Sequence, residues 1–283
     1  MRRLTAVSTT TFLVTAALLA GCQQESPRAE ASFAPTAGVC HRTMPQKAEP
    51  YEPMDCFGPH ETETVHVGTF EGKDATLGST PANGSPAQLR AYQACDSAVR
   101  AFVGGDWREA RLIMRLLMPS KDGWAAGQRW FRCDLTEMLA IDFPDPNGRT
   151  GTLKGALGRS TPLRLTCFNP ESKLGQIQEM VPASCTAPHT SEFGGVWTAP
   201  DGRYGDLAGD AMDRGCADVL ARFANVPNDG DLEYRFGTIT YGPDEQQWEA
   251  GERGVRCFLW LEDRKVSRSL KSAGVNDLPV VES

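Results

Sequence analysis

Two histidines and two glutamates stand where a general base and the carboxylate that orients it would stand. Cys56, Pro59, His60 and Glu63 are matched at the same spacing by Cys185, Pro188, His189 and Glu192. The chain has only four histidines, and this motif, Cys-x2-Pro-His-x2-Glu, takes two of them. Imidazole titrates near neutrality and a carboxylate can fix its tautomer, so the pair could move a proton in a hydrolase or serve a metal-dependent enzyme. Such a base needs something to activate, and no serine or free cysteine is repeated at a fixed offset beside it. The alternative is a Pro-His turn whose ring bonds a neighbouring strand or rests on a tryptophan. The expectation is no catalytic residue, no metal and no cofactor, with His60, Glu63, His189 and Glu192 as candidate partner contacts.

A second line also occurs twice. Residues 119–133 and 243–257 both read Pro-x4-Trp-x-Ala-Gly-x-Arg-x2-Arg-Cys, so the chain is a tandem duplication. Trp124 and Trp248 could be exposed anchors for a partner or a glycan, since indole is a frequent hot-spot side chain; beside a glycine turn they could equally plug a core. Arg129 and Arg253, with Arg132 and Arg256, could grip carboxylate or phosphate. Otherwise they alternate on a strand's outer face, paired with acids such as Asp134 and Glu252.

The compartment is written in the first residues. Arg2 and Arg3 precede an uncharged apolar run, Leu4 to Leu19, and then Leu19-Ala20-Gly21-Cys22. This reads as a signal peptide over 1–21; its end resembles the bacterial lipobox, which implies lipidation of Cys22. The expected location is the extracytoplasmic face of the cell membrane, held by lipid. Losing Arg2 and Arg3 takes the formal charge of −7 to −9, which argues against nucleic acid as a partner and against electrostatic adhesion to an anionic membrane.

Eight cysteines remain, four per copy, and in an exported chain an even, matched set reads as a disulfide framework. Zinc sites usually show close Cys-x2-4-Cys pairs, which are absent. Each set of four allows three pairings. The one chosen joins the strand cysteines, Cys40 with Cys133 and Cys167 with Cys257, and leaves Cys56 with Cys95 and Cys185 with Cys216.

The elements that position these motifs follow from periodicity. Ser85-Pro86 opens a helix, with Leu89, Tyr92, Cys95, Val99 and Phe102 on one side and Gly104-Gly105 closing it. A second helix near 207–224 points Met212, Cys216, Val219, Leu220 and Phe223 to one side. Strands are predicted around Cys40, at 62–70, 111–118 and through Arg132-Cys133-Asp134-Leu135; then at 163–168, 233–241 and 252–262. The fold class is α+β: two tandem small domains, each a mainly antiparallel sheet with one covering helix, stabilised by disulfides. The boundaries are a tether over 22–37, domain 1 over 38–141, a glycine- and proline-rich linker over 142–160, domain 2 over 161–266 and a loose tail over 267–283.

Taken in order, a cysteine, Cys-x2-Pro-His-x2-Glu, a helical cysteine and Trp-x-Ala-Gly-x-Arg-x2-Arg-Cys resemble the actinobacterial septum formation domain family, over both copies. The family's opening Gly-Asp-Cys stands here as Gly38-Val39-Cys40 and Leu165-Thr166-Cys167. The resemblance implies an extracytoplasmic, membrane-attached domain whose name points to cell division, and it brings no catalytic residues. The resulting expectation is a non-enzymatic envelope lipoprotein that binds an envelope protein or a cell-wall component. The alternatives are a His-dependent hydrolase or metal-dependent enzyme, and a cell-wall glycan-binding module.

Overall fold

A computed structural model describes residues 33–158, 161–208 and 210–281. The expected signal peptide, Cys22 and most of the expected tether lie outside those residues. Two antiparallel sheets are formed. The first contains β1 (Val39–His41), β2 (Thr62–Thr69), β3 (Leu112–Leu117) and β4 (Trp130–Glu137), in the order β1-β2-β4-β3. The second contains β5 (Cys167–Lys173), β6 (Gln176–Ala183), β7 (Ser191–Thr198), β8 (Gly237–Tyr241) and β9 (Gly254–Trp260), in the order β6-β5-β7-β9-β8. Apart from the added β6, the halves share one topology, and each has a register shift at the same place in its second strand, Thr64/His66 and Phe193/Gly195.

One long helix covers each sheet. After the one-turn α1 (Gly72–Ala75) comes α2 (Pro86–Val103), whose first turn is capped by the Ser85 hydroxyl accepting from the Gln88 N–H and whose last is closed by Gly104 at φ 79°. Its apolar face buries Ala91, Tyr92, Cys95, Val99 and Val103 against Leu112, Phe131, Cys133 and Leu135. The short α3 (Lys121–Ala125) precedes β4. In the second half, α4 (Ala211–Ala224) ends at Asn225 in the left-handed region, and α5 (Glu245–Ala250) precedes β9.

The disulfides depart from the expected pairing. Cys40 joins Cys56 and Cys95 joins Cys133; Cys167 joins Cys185 and Cys216 joins Cys257. A bridge from Cys40 to Cys133 needs the opening strand beside the closing one, whereas β2 lies between β1 and β4. Two strand spacings are roughly 10 Å, beyond the Cα separation of about 7 Å that a bridge tolerates. The helix cysteines therefore clamp each helix to its closing strand, and the opening strand is tied to the loop that follows it.

The expected linker and tail are parts of the domains. Leu153 and Leu157 are buried in the first core, and Leu270 and Leu278 in the second. Each trailing segment caps the end of its helix: Gly155 N–H donates to Phe102 O and Ser272 N–H to Phe223 O, both at 2.8 Å. Glycine content marked 142–160 as a connection, but apolar residues spaced among the glycines give it a buried side.

The halves are joined by a continuous seam. Met138 and Ile141 share a core with Leu165, Phe168, Met180, Ile239 and Phe258. Arg111 N–H donates to Leu163 O and Leu165 N–H to Glu109 O. At its centre Glu252 takes both Nε and Nη2 of Arg108, at 2.6 and 2.7 Å, and also the Tyr92 hydroxyl at 2.5 Å. Arg256 donates across the seam to the carbonyls of Arg108 and Leu112.

Candidate functional site

The two Pro-His turns share their Nδ1 bonds and differ at Nε2, which in His60 is buried without a partner among the described residues. His60 Nδ1 donates to Gly58 O and His189 Nδ1 to Ala187 O, each at 2.8 Å. A carbonyl can only accept, which fixes the proton on Nδ1 in both rings. The backbone of each histidine pairs both ways with a trailing segment, His60 with Arg149 and His189 with Val266. Both rings are buried, 2% and 0% exposed. Each ring is thus a pin, held out of solvent by its own turn and by the trailing segment that pairs with its backbone.

The glutamates complete the same pin. Glu63 accepts from the Thr152 hydroxyl at 2.6 Å and from Leu153 N–H at 2.8 Å. Glu192 accepts from the Ser269 hydroxyl at 3.1 Å and from Leu270 N–H at 3.0 Å. Burial raises the Glu192 carboxyl above its ordinary range, against the bonds from Leu270, Ser269 and His189. His189 Nε2 lies 3.3 Å from Glu192 Oε1. The partners of the two glutamates are themselves a repeat that sequence reading missed: Thr152-Leu153-Lys154-x-Ala156 matches Ser269-Leu270-Lys271-x-Ala273.

Each glutamate also lies against a disulfide, with ligand atoms of Cys40, Cys56 and Glu63, and of Cys167, Cys185 and Glu192, within 4.8 Å of one another. Metal ligation needs thiolates, and these sulfurs are bonded to each other. Glu192 Oε1 is 3.2 Å from Cys167 Sγ, a contact without a hydrogen, because a bridged sulfur carries none.

The tryptophan line is also turned inward. Trp124 and Trp248 are 1% and 5% exposed, and their indole N–H groups donate to Leu77 O and Gly202 O. Neither ring is available to stack on a glycan. Gly127 and Gly251 take φ values of 101° and 116°, which explains glycine at that place in the motif. Arg129 then folds back over Trp124 at 4.1 Å and Arg253 over Trp248 at 3.9 Å. One guanidinium nitrogen of each feeds two carbonyls, Trp124 and Gln128 in one case, Trp248 and Glu252 in the other. The eight candidate residues thus fall into two pins and two turns, with the histidines, glutamates and tryptophans buried and Arg129 and Arg253 partly exposed.

The sequence model described as septum formation matches residues 37–257. The chain belongs to the septum formation family. The match is a single one that runs through both halves. Comparison with curated proteins and with solved structures returned no match.

Within this septum formation protein the halves differ most on the outer face of the sheet. In the first, His41 Nε2 lies 3.0 Å from the Thr64 hydroxyl, which donates to Asp134 at 2.8 Å, and Asp134 pairs with Arg132 at 3.1 Å. Burial, with the Arg132 charge beside it, lowers His41 to about 4. Burial raises Asp134 to about 6 against Arg132 and Thr64. By strand register the matching positions in the second half are Phe168, Phe193 and Phe258, which pack edge to face. Arg132 therefore pairs with Asp134 as expected, but in a fully buried place, whereas Glu252 serves Arg108 in the seam and not the arginines of its own line. Nothing in a single strand's pattern separates a buried polar row from an exposed one, which is why His41 and Thr64 went unnoticed.

Proposed function

We propose that this chain is a non-enzymatic, lipid-anchored protein of the extracytoplasmic face, carrying two copies of the septum formation unit. It binds an envelope protein or a cell-wall component and acts as a scaffold during septum formation. The observation that carries this reading is the family match over 37–257 together with the use of every repeated motif as internal bracing. Residues retained twice for bracing preserve a shape, and a fixed shape serves recognition. Attachment rests on Cys22, in accord with the absence, among the described residues, of a helix long and apolar enough to cross a membrane.

Crosslinking in the native envelope, followed by identification of the captured protein, tests the binding role; repeated failure to capture a partner would sink it. Cys22→Ser tests the anchor, since the variant should leave the membrane fraction. If it stays there, lipid on Cys22 is not what holds the protein.

A further inference from the structure

β5 pairs with β7 through Cys167 with Glu192 and Phe168 with Ser191, and Phe193 N–H donates to Thr166 O just upstream. Before Thr166 the chain lies against the first half, where Ala110 bridges to Arg164. Ala199 N–H donates to Arg253 O, toward β9. Alternation along an antiparallel strand then directs the N–H and C=O of Val196 and Thr198 away from β9, to the side β5 has vacated. A cleft of about 450 Å³ opens along this edge. Gly194, Gly195 and Val196 form one wall, Arg164 and Leu165 the other, and Phe223, Arg222 and Lys271 border it.

Three cations, Arg164, Arg222 and Lys271, and one acid, Glu109, line the cleft, so its net formal sign is opposite to that of the chain. Arg164 is paired with Glu109 at 2.8 Å, while Arg222 and Lys271 are exposed and carry no ion pair among the described residues. The formal charge of the whole chain is −7. Lys271 also belongs to the repeated Ser-Leu-Lys segment, whose backbone is fixed by Glu192 and by Phe223 O, so its position is set by the fold. An unpaired strand edge is a ready template for another chain, and its side pockets and charges select which.

We propose that the outer edge of β7 accepts an extended, acidic peptide segment of a partner, which adds as a short strand and sets its carboxylates against Arg222 and Lys271. This deepens the binding role and rests on it. Main-chain bonds to Val196 and Thr198 supply the alignment, and the two cations supply the sign.

The test is a fluorescence-polarisation titration of the full chain with a fluorescein-labelled, end-blocked Glu-Val-Glu-Val-Glu-Val peptide. Its Lys-Val counterpart and a version with proline in place of the central valine serve as comparisons. The acidic peptide should bind saturably, and the other two about tenfold more weakly or worse. Arg222→Glu with Lys271→Glu, both exposed and so compatible with folding, should weaken the acidic peptide about tenfold. Val196→Pro, which deletes one outward N–H, should weaken it without changing the preference for acid over base. No saturable binding, or binding unchanged by the charge reversal, overturns the proposal; equal binding of the proline peptide overturns strand addition. Envelope crosslinking separates the two levels. A partner captured equally by wild type and the charge-reversed variant removes the cleft and leaves the binding role, whereas capture by neither removes the binding role while the titration still decides the cleft.

Discussion

Glu252→Gln is the change most diagnostic of the seam. In the native protein the carboxylate receives a two-pronged Arg108 guanidinium at 2.6 and 2.7 Å, the Tyr92 hydroxyl at 2.5 Å and Gly254 N–H at 2.5 Å. Arg108 and Glu252 are both buried, with side chains 7% and 8% exposed. Charge and burial dominate this corner: the Glu252 charge and hydrogen bonds raise Arg108 in spite of its burial, and burial together with that carboxylate raises Tyr92 well above a phenol's usual range. Glutamine fills the same space but cannot accept from both prongs or balance the charge. Removing one partner of a buried pair costs roughly 3–5 kcal/mol. Arg108 keeps Asp96 at 2.6 Å, so the loss belongs at the lower end, about 3 kcal/mol. For a chain of this size that is a fall in Tm of about 6–12 °C. Because the halves share a core, unfolding followed by circular dichroism should remain one transition that moves as a whole. The companion variant Glu252→Leu with Arg108→Met and Tyr92→Phe replaces the whole cluster by apolar groups and should recover most of the loss. A Glu252→Gln protein within about 1 kcal/mol of wild type would refute the reasoning, as would two separated transitions.

Three further outcomes are expected. Leu270→Ala, in the segment first read as a loose tail, should cost about 3 kcal/mol, because the side chain is fully buried; a neutral result would restore the tail. Non-reducing peptide mapping should find Cys40 with Cys56 and Cys216 with Cys257, and a peptide joining Cys40 to Cys133 would overturn the strand order. By loop-closure entropy the bridges spanning 16 and 18 residues contribute about 3 kcal/mol each and those spanning 38 and 41 nearly 4. The buried polar row predicts opposing pH slopes. Asp134, raised to about 6 when folded, contributes stability below its unfolded value that is lost as pH rises through 6. His41, lowered to about 4, contributes stability present above 6.5 and lost as pH falls toward 4. His41→Phe, which copies Phe168 of the second half, should expose the Asp134 slope as a Tm that falls between pH 4 and 6.5; a profile parallel to wild type would refute the pairing.

Local chemistry in this chain was legible, while adjacency was not. Ser85-Pro86 and Gly104 marked the first helix to within a residue because capping is settled by neighbouring residues. The strand through Arg132-Cys133-Asp134-Leu135 was also legible, since strand alternation is local, and it puts Phe131, Cys133 and Leu135 in the core. The disulfides were misread because their pairing depends on which strand lies beside which, and that depends on burial across the whole sheet. β6 was missed because its hairpin turns at Leu174-Gly175, with φ of 53° and 76°, where asparagine would have announced it. Repetition is what singled out the candidate residues as a set. Repetition marks what must be kept; it does not say whether the side chain faces a partner or its own backbone.

The trailing segments set an order of events for a chain that emerges from its amino end. The Glu63 carboxylate waits 90 residues for Leu153, and Glu192 waits 78 for Leu270. The first half can therefore close before most of the second has appeared. Each half repeats one order, because its helix and closing-strand cysteines, Cys95 with Cys133 and Cys216 with Cys257, are both present before the residues that cap its helix and engage its buried glutamate. During that interval its buried carboxylate, its helix end and its apolar floor are open to water, and this is the stage at which a folding helper or a protease would find the protein.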